Sequence, residues 1–395
     1  MKIKQIEIMK IPPSWVWVRV DTDEGIYGLG EPYLENHPDQ VISEVHRLVP
    51  LLIGEDPTRT EYLWHKMYTS GSGYRGGPIK MSAISGLDMA FWDIKGKASN
   101  LPIHRLLGGG FRDKVKMYRA CGSKMPHSVD PGDPYRLGLK SNHGEQKSEA
   151  RNYYEVAKIL VEEWGFQCLK LHFDMGESIE GQLKIKQFIE IVEAVREAVG
   201  YAVDIAIDIH NPHPRSGLKL AQALEPYFPL FLEEPIPMER IDQLRQVVDG
   251  TTIPIAAGER WMGKWAFHEA IQKGAAVLQP DIAHAGGFTE LKKIAGMAEA
   301  AFATMAPHCP LSPLSIAASI QLAASIPNFL VQEHNEVNDA RVNGQTVIGL
   351  GYFQNPFVLD NTGCVAVPEK PGLGIELSSE GLETIMSKPW SVVRG

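Results

Sequence analysis

The chain has 395 residues, of which 44% are hydrophobic and 22% are charged, and its formal net charge is −9. This length is typical of a two-domain globular protein rather than of one small core. The acidic balance argues against a general nucleic-acid-binding surface, although a bound cation and one lysine could still create a pocket for an anionic small molecule.

The cysteines and the apolar runs bear on the compartment. None of the four cysteines has CxxC spacing, which favours a reducing compartment and argues against a disulfide framework or a thiolate metal site. The opening sequence MKIKQIEIMKIPP alternates polar and apolar residues and lacks the long apolar core of a signal peptide. No run is long enough to span a bilayer. We therefore expect a cytoplasmic protein with no membrane partner.

The N-terminal part of the chain predicts a small α+β domain. Three short segments within residues 2–31 have strand-like patterns, and the third follows the turn signal DEG. A helical pattern runs from 37 to 67 with a break at GEDP, and a further helix is predicted over 80–98. We expect this domain to cover residues 1–113.

The sequence SGSGYRGG at 70–77 predicts a glycine-rich loop. One interpretation is a flexible connection, and the other is a lid that places Tyr74 and Arg75 over a substrate. Trp15 is a third candidate for the same pocket, with the protein core as its alternative location. The loop lacks the GK[ST] ending of a phosphate-binding P-loop, which argues against nucleotide binding.

From Lys114 onward, short apolar runs alternate with helix-length segments. Eight strands are predicted, and they are VKMYRACG (115–122), CLKLHF (168–173), DIAIDIH (204–210), LFLEEP (230–235), IPIAAGE (253–259), VLQPD (277–281), TMAPH (304–308) and FLVQE (329–333). This alternation is typical of a parallel (β/α) barrel. A polar stretch at about 124–149 is expected to be an extended loop at the catalytic face. The barrel domain is predicted over 114–354, and the segment from about 355 to 395 is expected to complete the N-terminal domain.

Three consecutive predicted strands end in carboxylates, at Asp208, Glu233 and Glu259. In a parallel barrel the carboxyl ends of the strands share one face, so these side chains would converge there. Three like charges in one pocket repel each other unless a cation lies among them. Carboxylate oxygens without a nearby cysteine suit Mg²⁺, with Mn²⁺ as the alternative ion. The competing interpretation is that they cap helices or lie on the surface.

Other titratable groups also stand at the predicted strand ends, and they are Lys170, His172, His210, Asp281, His308 and Glu333. One such group means little, but together with the three carboxylates they occur on seven consecutive strands, which is hard to obtain from packing alone. Residues i and i+2 of a strand share a face, so Lys170 pairs with His172 and Asp208 pairs with His210. Each pair could face the mouth of the barrel.

An ordered set of motifs carries a family resemblance. The motifs are SGLDMAFWDIKGK, KLH, DIH, EEP, GER, LQPDIAHAGG, APHCPLSP, VQE and PGLG. Together they resemble the enolase superfamily, in its mandelate racemase subgroup, and within it the D-galactonate dehydratase-like sugar-acid dehydratases. The resemblance covers nearly the whole chain. It implies an α/β fold of the enolase type, a modified TIM (β/α) barrel with an N-terminal α+β capping domain and the site between them.

The resemblance implies a magnesium site and a lysine that binds the substrate carboxylate. Asp208, Glu233 and Glu259 would hold Mg²⁺, and Lys170 would help to neutralise the substrate carboxylate. Physical chemistry supports these roles independently. A proton α to a carboxylate is very weakly acidic because its removal makes a dianion, and a chelating cation stabilises that charge as it develops.

The resemblance also implies which groups move protons. His308 would be the base, oriented by Asp281 on the neighbouring strand, and His210 would be the acid that protonates the departing hydroxyl. Glu333 would hydrogen-bond the enediolate oxygen. His172 departs from the family pattern, which has Lys in racemases and Asn in the galactonate enzymes. Its role is open between catalysis, substrate contact and structure.

The implied function is Mg²⁺-dependent dehydration of a sugar acid to a 2-keto-3-deoxy acid. One alternative is an epimerase or racemase in which His172 or Lys170 is the base on the opposite face. A non-catalytic binding module is the alternative from another class, and the loss of a metal ligand or of the base would favour it. The sequence shows neither loss. We expect a small-molecule sugar-acid substrate, no nucleic-acid partner and a homo-oligomer.

Overall fold

The structure is a computed structural model, and it describes residues 1–123, 149–176, 178–179 and 181–392. The polar stretch predicted as a catalytic-face loop at about 124–149 therefore lies, apart from its last residue, outside the described residues. The described chain forms an N-terminal α+β domain and a parallel barrel, as predicted.

The N-terminal domain is a small antiparallel sheet covered by helices. Its strands pair in chain order, and they are β1 (Ile3–Ile11), β2 (Trp15–Thr22) and β3 (Tyr27–Gly30). Its helices are α1 (Pro38–Leu52), α2 (Thr60–Thr69), α3 (Pro78–Ala98) and α4 (Ile103–Leu106). The nearly fully buried α3 lies directly on β3. The two elements approach so closely that a side chain at Gly30 would collide with the carbonyl oxygen of Gly86. The sequence YGLG thus sets how closely helix and sheet approach.

Eight parallel strands of the described chain form the barrel. They are β4 (Lys114–Cys121), β5 (Cys168–His172), β6 (Asp204–Asp208), β7 (Phe231–Glu233), β8 (Ile255–Ala257), β9 (Val277–Leu278), β10 (Thr304–Met305) and β11 (Gln332–His334). The strands lie side by side in chain order, and β11 pairs with β4. A parallel bridge between Met305 and Phe329 joins the other edge to the segment leading into β11, which closes the barrel. Each strand falls at a predicted position.

Helices connect successive barrel strands. In the described chain they are α5 (Glu149–Glu162), α6 (Gln182–Val199), α7 (Pro214–Leu224), α8 (Leu244–Val248), α9 (Lys264–Gln272), α10 (Gly287–Ala300) and α11 (Pro313–Ser325). After β11 the chain instead forms an antiparallel sheet of β12 (Asp339–Val342), β13 (Gln345–Ile348) and β14 (Phe357–Val358). The barrel is therefore modified from the regular eightfold repeat. Within the described residues, no helix has both the length and the apolar character needed to cross a membrane.

The C-terminal segment contacts both domains. Its strand β15 (Cys364–Ala366) pairs antiparallel with β4 of the barrel, and it continues into helix α12 (Ser379–Met386). Beyond α12, Trp390 Nε1 donates a hydrogen bond to the carbonyl oxygen of Trp15 at 2.9 Å. The segment thus links the barrel to the N-terminal domain.

Two buried carboxylates of the N-terminal domain cap helices of the barrel. Glu31 accepts hydrogen bonds from the backbone N–H and hydroxyl groups of Ser312 and Ser315 in the first turn of α11. Asp88 accepts the backbone N–H of Thr289, at 3.0 Å, in the first turn of α10. The first N–H groups of a helix lack intrahelical partners and carry partial positive charge, so carboxylates are favoured there. These contacts hold the N-terminal domain over the carboxyl ends of the barrel strands.

Candidate active site

Three carboxylates converge at the ends of neighbouring strands. Asp208 and Glu233 are the last residues of β6 and β7 and stand opposite each other in the strand register. Glu259 follows β8 after Gly258, whose φ of 142° turns the chain toward the same point. The three residues are at most 6% exposed, and one oxygen of each lies within 4.8 Å of the others. The structure thus brings together the three residues predicted as metal ligands.

The chemistry of these oxygens fits a hard divalent cation. Oε2 of Glu233 and Oε2 of Glu259 are buried and accept no hydrogen bond from any described residue. Burial and the neighbouring carboxylates raise the pKa of Glu259 well above its usual range, and burial also raises the pKa of Glu233. Both effects arise because like charges share a poorly solvated site. A cation with oxygen ligands would satisfy these atoms and relieve the repulsion.

Lys170 lies beside the carboxylates. Its Nζ is 2.5 Å from Glu333 Oε1, 3.4 Å from Glu233 Oε1 and 3.7 Å from Asp208 Oδ2. Burial opposes the ammonium charge, but the surrounding carboxylates outweigh it and raise the pKa of Lys170 well above its ordinary value. The lysine is therefore cationic and can bind an anionic substrate group.

His308 and Asp281 form a buried dyad. His308 Nδ1 lies 2.8 Å from Asp281 Oδ2, and the carboxylate only accepts, so Nδ1 is the donor. His308 Nε2 consequently faces the carboxylates, 3.4 Å from Glu259 Oε2 and 4.0 Å from Glu333 Oε2. Burial opposes the charge on the ring, but Glu333 and Asp281 outweigh it and raise the pKa of His308. This arrangement suits a general base with a fixed tautomer.

His210 and His172 share one carboxylate. His210 Nε2 is 3.4 Å from Asp208 Oδ2 and 3.8 Å from Glu259 Oε1, and His172 Nδ1 is 3.2 Å from the same Asp208 oxygen. The two imidazole rings meet edge to face with centroids 4.0 Å apart. Burial lowers the pKa of His210 to about 4, so this ring is neutral near pH 7 in the ligand-free chain.

Glu234 and Arg260 support the acidic cluster from outside. Glu234 forms a salt bridge with Arg260. Nη1 of the same arginine is 2.7 Å from Glu259 Oε1. The guanidinium therefore ties together the two acidic residues that follow β7 and β8. Arg260 belongs to the GER motif, and that adjacency to Glu259 was the available signal for its role.

Glu35 and His284 were missed by the sequence interpretation. His284 Nε2 lies 3.2 Å from Glu35 Oε2 and 3.8 Å from Asp281 Oδ2. His284 stands three residues after Asp281 in LQPDIAHAGG, and this spacing is the sequence signal for its position. Glu35 gave none, because it lies in the loop between β3 and α1 of the other domain.

The predicted substrate contacts of the N-terminal domain have different surroundings. Trp15 begins β2 rather than lying on a loop, is 4% exposed and packs edge-on against Tyr33 at 5.7 Å. Tyr74 is 88% exposed, and it lines a cavity of about 750 Å³ together with Arg75 and Lys80. In the described part of the chain, no hydrogen bond or ion pair joins Tyr74 or Arg75 to the carboxylates. Their lid role stays a prediction.

Comparisons with known proteins agree with this architecture. The family model for the N-terminal domain of mandelate racemase/muconate lactonizing enzyme matches residues 11–108, and the enolase C-terminal domain-like model matches residues 152–381. Relatives named D-galactonate dehydratase, from Klebsiella pneumoniae (strain 342) and Pectobacterium atrosepticum, are each 37% identical over 394 residues, which is 96% of this chain and 93% of each relative. A crystal structure of mandelate racemase/muconate lactonizing enzyme from Jannaschia sp. CCS1 superposes with a TM-score of 0.84 and 32% identity, covering 97% of both chains.

Proposed function

The chain belongs to the mandelate racemase/muconate lactonizing enzyme family of the enolase superfamily, and from that premise we propose that it is a Mg²⁺-dependent sugar-acid dehydratase. The reaction removes the proton α to the carboxylate and eliminates the β-hydroxyl, and the resulting enol tautomerises to a 2-keto-3-deoxy acid. The observation that carries the proposal is the His308–Asp281 dyad, whose free Nε2 faces the acidic cluster. The names of the two relatives support the same class of substrate.

The acidic cluster and Lys170 would bind the substrate carboxylate. Asp208, Glu233 and Glu259 would hold Mg²⁺, which when bound supplies electrostatic stabilisation to the negative charge that develops on the carboxylate. Lys170 adds a second positive charge at the same place, because its ammonium is held among the carboxylates. Together these groups favour the dianionic enediolate over the substrate.

His308 would remove the α-proton. Its Nε2 accepts the proton while the electron pair of the C–H bond moves into the enediolate. Asp281 keeps the proton on Nδ1 and stabilises the imidazolium that forms. Oε2 of Glu333 accepts the backbone N–H of Cys309 at 3.1 Å. Burial opposes the charge on Glu333, but Lys170 and His308 outweigh it and lower its pKa, so the group is anionic. A hydrogen bond from Glu333 to the enediolate oxygen would require the carboxyl group to gain a proton first.

His210 would complete the elimination by protonating the hydroxyl on the β-carbon as it departs as water. Burial lowers the pKa of His210 to about 4, so the ring is neutral before the substrate arrives. As the acid, His210 would therefore have to receive a proton before it protonates the hydroxyl. His172, whose ring contacts that of His210, is one described side chain that could pass a proton on.

The alternative reaction is 1,1-proton transfer, which needs a second base on the opposite face. Lys170 is a poor candidate, because its ion pairs with Glu333 and Glu233 hold the ammonium form. His172 is the better one, since its side chain is 44% exposed and lies next to the cluster. An epimerase therefore depends on His172 acting as a base.

A screen of sugar acids separates the two reactions. The protein is incubated with each acid in a library and Mg²⁺, and the products are assayed for 2-keto acids and, by NMR, for epimers. We expect a 2-keto-3-deoxy acid from at least one aldonate and none from the His308→Asn variant. A product that is only the epimer, for every acid that reacts, would overturn the dehydratase proposal.

A further inference from the structure

A second histidine lies behind the carboxylate of the dyad. Oδ2 of Asp281 is 2.8 Å from His308 Nδ1 and 3.8 Å from His284 Nε2. His284 is 3% exposed, and its Nε2 also lies 3.2 Å from Oε2 of Glu35. One carboxylate oxygen is thus near two imidazoles, and one imidazole nitrogen is near two carboxylates. The His284–Glu35 contact is an ion pair by distance rather than an aligned hydrogen bond.

The backbone around Asp281 leaves this arrangement little freedom. Oδ1 of Asp281 accepts the backbone N–H of Ala283 at 2.7 Å. The carbonyl oxygen of Asp281 accepts the N–H groups of His284 at 3.1 Å and Ala285 at 2.8 Å. On the other side of the His284 ring, Nδ1 lies 3.2 Å from the hydroxyl of Ser82 in α3. The imidazole is therefore held between the turn after β9 and a helix of the N-terminal domain.

Glu35 reaches His284 from a loop that is anchored next to the base. The loop runs from β3 to α1 and begins at Glu31, which caps the first turn of α11 through Ser312. Ser312 stands four residues after His308 in the chain. The same short loop therefore contacts the segment that carries the base and the histidine behind its carboxylate.

Because the His284 ring is charged, it matters whether Glu35 or Asp281 accepts its Nε2–H. Burial opposes protonation of the ring, but Asp281 and Glu35 outweigh it and raise the pKa of His284 to about 9. Both ring nitrogens then carry hydrogens, and Nε2–H needs an acceptor. If Glu35 were neutral, the remaining carboxylate oxygen near Nε2 would be Asp281 Oδ2. A charge-assisted hydrogen bond to that oxygen would compete with the one from His308 Nδ1.

We propose that Glu35 and His284 are positioning residues through which the N-terminal domain orients the base. Glu35 engages His284 so that Oδ2 of Asp281 stays with His308. When the loop carrying Glu35 is displaced, His284 competes for Asp281 and the base loses its fixed tautomer and direction. His308 can act as the base only when the N-terminal domain is in place over the barrel. This inference rests on the proposed role of His308 as base.

The kinetic test uses a double-variant comparison on the intact protein. We expect Glu35→Gln to lower kcat by roughly 10–100-fold, by analogy with the loss of partners that orient metal-ligating histidines, with KM little changed. Adding His284→Asn to Glu35→Gln should raise kcat again, because the competitor for Asp281 is then gone. Glu61→Gln is the matched control, since Glu61 also pairs across the domains, with Lys293 at 2.8 Å, and should leave kcat unchanged.

The outcomes separate positioning from packing. A Glu35→Gln variant with wild-type kcat would overturn the inference while leaving the dehydratase proposal intact. A double variant no faster than Glu35→Gln alone, with an unchanged melting temperature, would also overturn it, because competition requires that kcat recover. If the double variant does not fold, NMR spectra of the Glu35→Gln variant decide whether Glu35 positions His308.

Spectra of ¹⁵N-histidine-labelled protein test the inference without turnover. The signals of His308 and His284 are assigned by their absence in His308→Asn and His284→Asn. In Glu35→Gln we expect the Nδ1–H proton of His308 to move upfield, as its hydrogen bond to Asp281 weakens. An unchanged His308 signal would reject the positioning role. If the wild type converts no sugar acid, the proposed function fails, and these spectra alone decide whether Glu35 controls His308.

Discussion

Lys170 Nζ lies 2.5 Å from Glu333 Oε1, although the two residues belong to strands β5 and β11 on opposite sides of β4. Both side chains are 7% exposed. The same ammonium also lies 3.4 Å from Glu233 Oε1. Lys170 is therefore a buried counter-charge for Glu333, Glu233 and Asp208 at this end of the barrel.

Replacement of Lys170 should affect both stability and activity. We expect Lys170→Met to lower the free energy of unfolding of metal-free protein by about 3–5 kcal/mol, the usual effect of leaving buried charges unpaired. Mg²⁺ should restore more stability to this variant than to the wild type, and turnover should be lost. Urea unfolding with chelator and with Mg²⁺ measures this. Lys114→Met, which removes an exposed salt bridge to Asp360, is the control and should change little.

We predict that a divalent cation bound by the three carboxylates stabilises the folded protein. We expect Mg²⁺ to raise the melting temperature of the wild type, because an ion that binds only the folded state stabilises it by mass action. Chelator should abolish turnover, and readdition of Mg²⁺ should restore it. Glu259→Gln should lose both the melting shift and the activity. Full activity in excess chelator would remove the site formed by Asp208, Glu233 and Glu259 from the mechanism.

The fold could be predicted because its signals are local. Each barrel strand is a short apolar run, and parallel strands place their carboxyl ends on one face, so Asp208 and Glu233 follow from sequence order alone. The position of β15 could not be predicted in this way, because its pairing with β4 joins segments far apart in the chain. The sequence of a short strand does not specify which other strand it will pair with.

The site was predictable to the extent that its residues sit at strand ends. His308 and Asp281 follow that rule, and the structure pairs them. Glu35 could not be predicted by this rule, because it lies in the N-terminal domain and reaches His284 only when the two domains dock. The edge-to-face contact of His172 with His210 depends on side-chain rotamers, which alternation along a strand does not specify.

The Glu35–His284 pair predicts a pH dependence of stability. The side chain of Glu35 is 41% exposed, and its partial burial favours the neutral form, but His284 outweighs this and lowers the pKa of Glu35 from 4.5 to about 2. The groups that face His284 are Glu35, Asp281 and the hydroxyl of Ser82, and the two carboxylates raise the pKa of His284 from 6.5 to about 9 against the effect of burial. The histidine's contribution is complete below pH 6.5 and is lost as the pH rises through about 9. The glutamate's is complete above pH 4.5 and is lost as the pH falls through about 2.

The measurement compares wild type with Glu35→Gln in urea at a series of pH values. The stability difference should be largest between pH 4.5 and 6.5 and should shrink as the pH rises toward 9. A difference that stays constant or grows over the upper range would show that His284 is not charged against Glu35.

If the glycine-rich loop at 70–77 is a lid, its side chains should affect substrate binding. Tyr74 is exposed and lines a cavity together with Arg75. The lid prediction requires that closure of this loop bring both side chains toward the substrate. We expect Tyr74→Ala and Arg75→Ala to raise KM for several sugar acids. Tyr201→Ala, at another exposed tyrosine, is the control. Unchanged kinetic constants in both loop variants would remove the lid from the mechanism.

The two histidines at the acidic cluster should be separable by isotope exchange. His308→Asn removes the proposed base, so it should neither exchange the α-proton of the substrate with D₂O nor form keto acid. His210→Asn retains the base and the carboxylates, so it should still form the enediolate, which can only return to substrate. This variant should exchange the α-proton while making little or no keto acid. General acid–base groups typically contribute about 10²–10⁴-fold, so NMR exchange and keto-acid assays should resolve both losses.

The contrast between the two variants identifies the acid. If His210→Asn dehydrates at the wild-type rate, the proton comes from another group. His172 is then the next residue to replace, because its Nδ1 lies 3.2 Å from Asp208 Oδ2, the oxygen that His210 also faces. His268→Asn, at an exposed histidine of α9, controls for loss of any imidazole and should keep both activities. If His172→Asn alone abolishes exchange on one face of the α-carbon while His308→Asn abolishes it on the other, the cluster carries two bases. The chemistry would then be epimerisation, because a dehydratase needs proton removal from one face only.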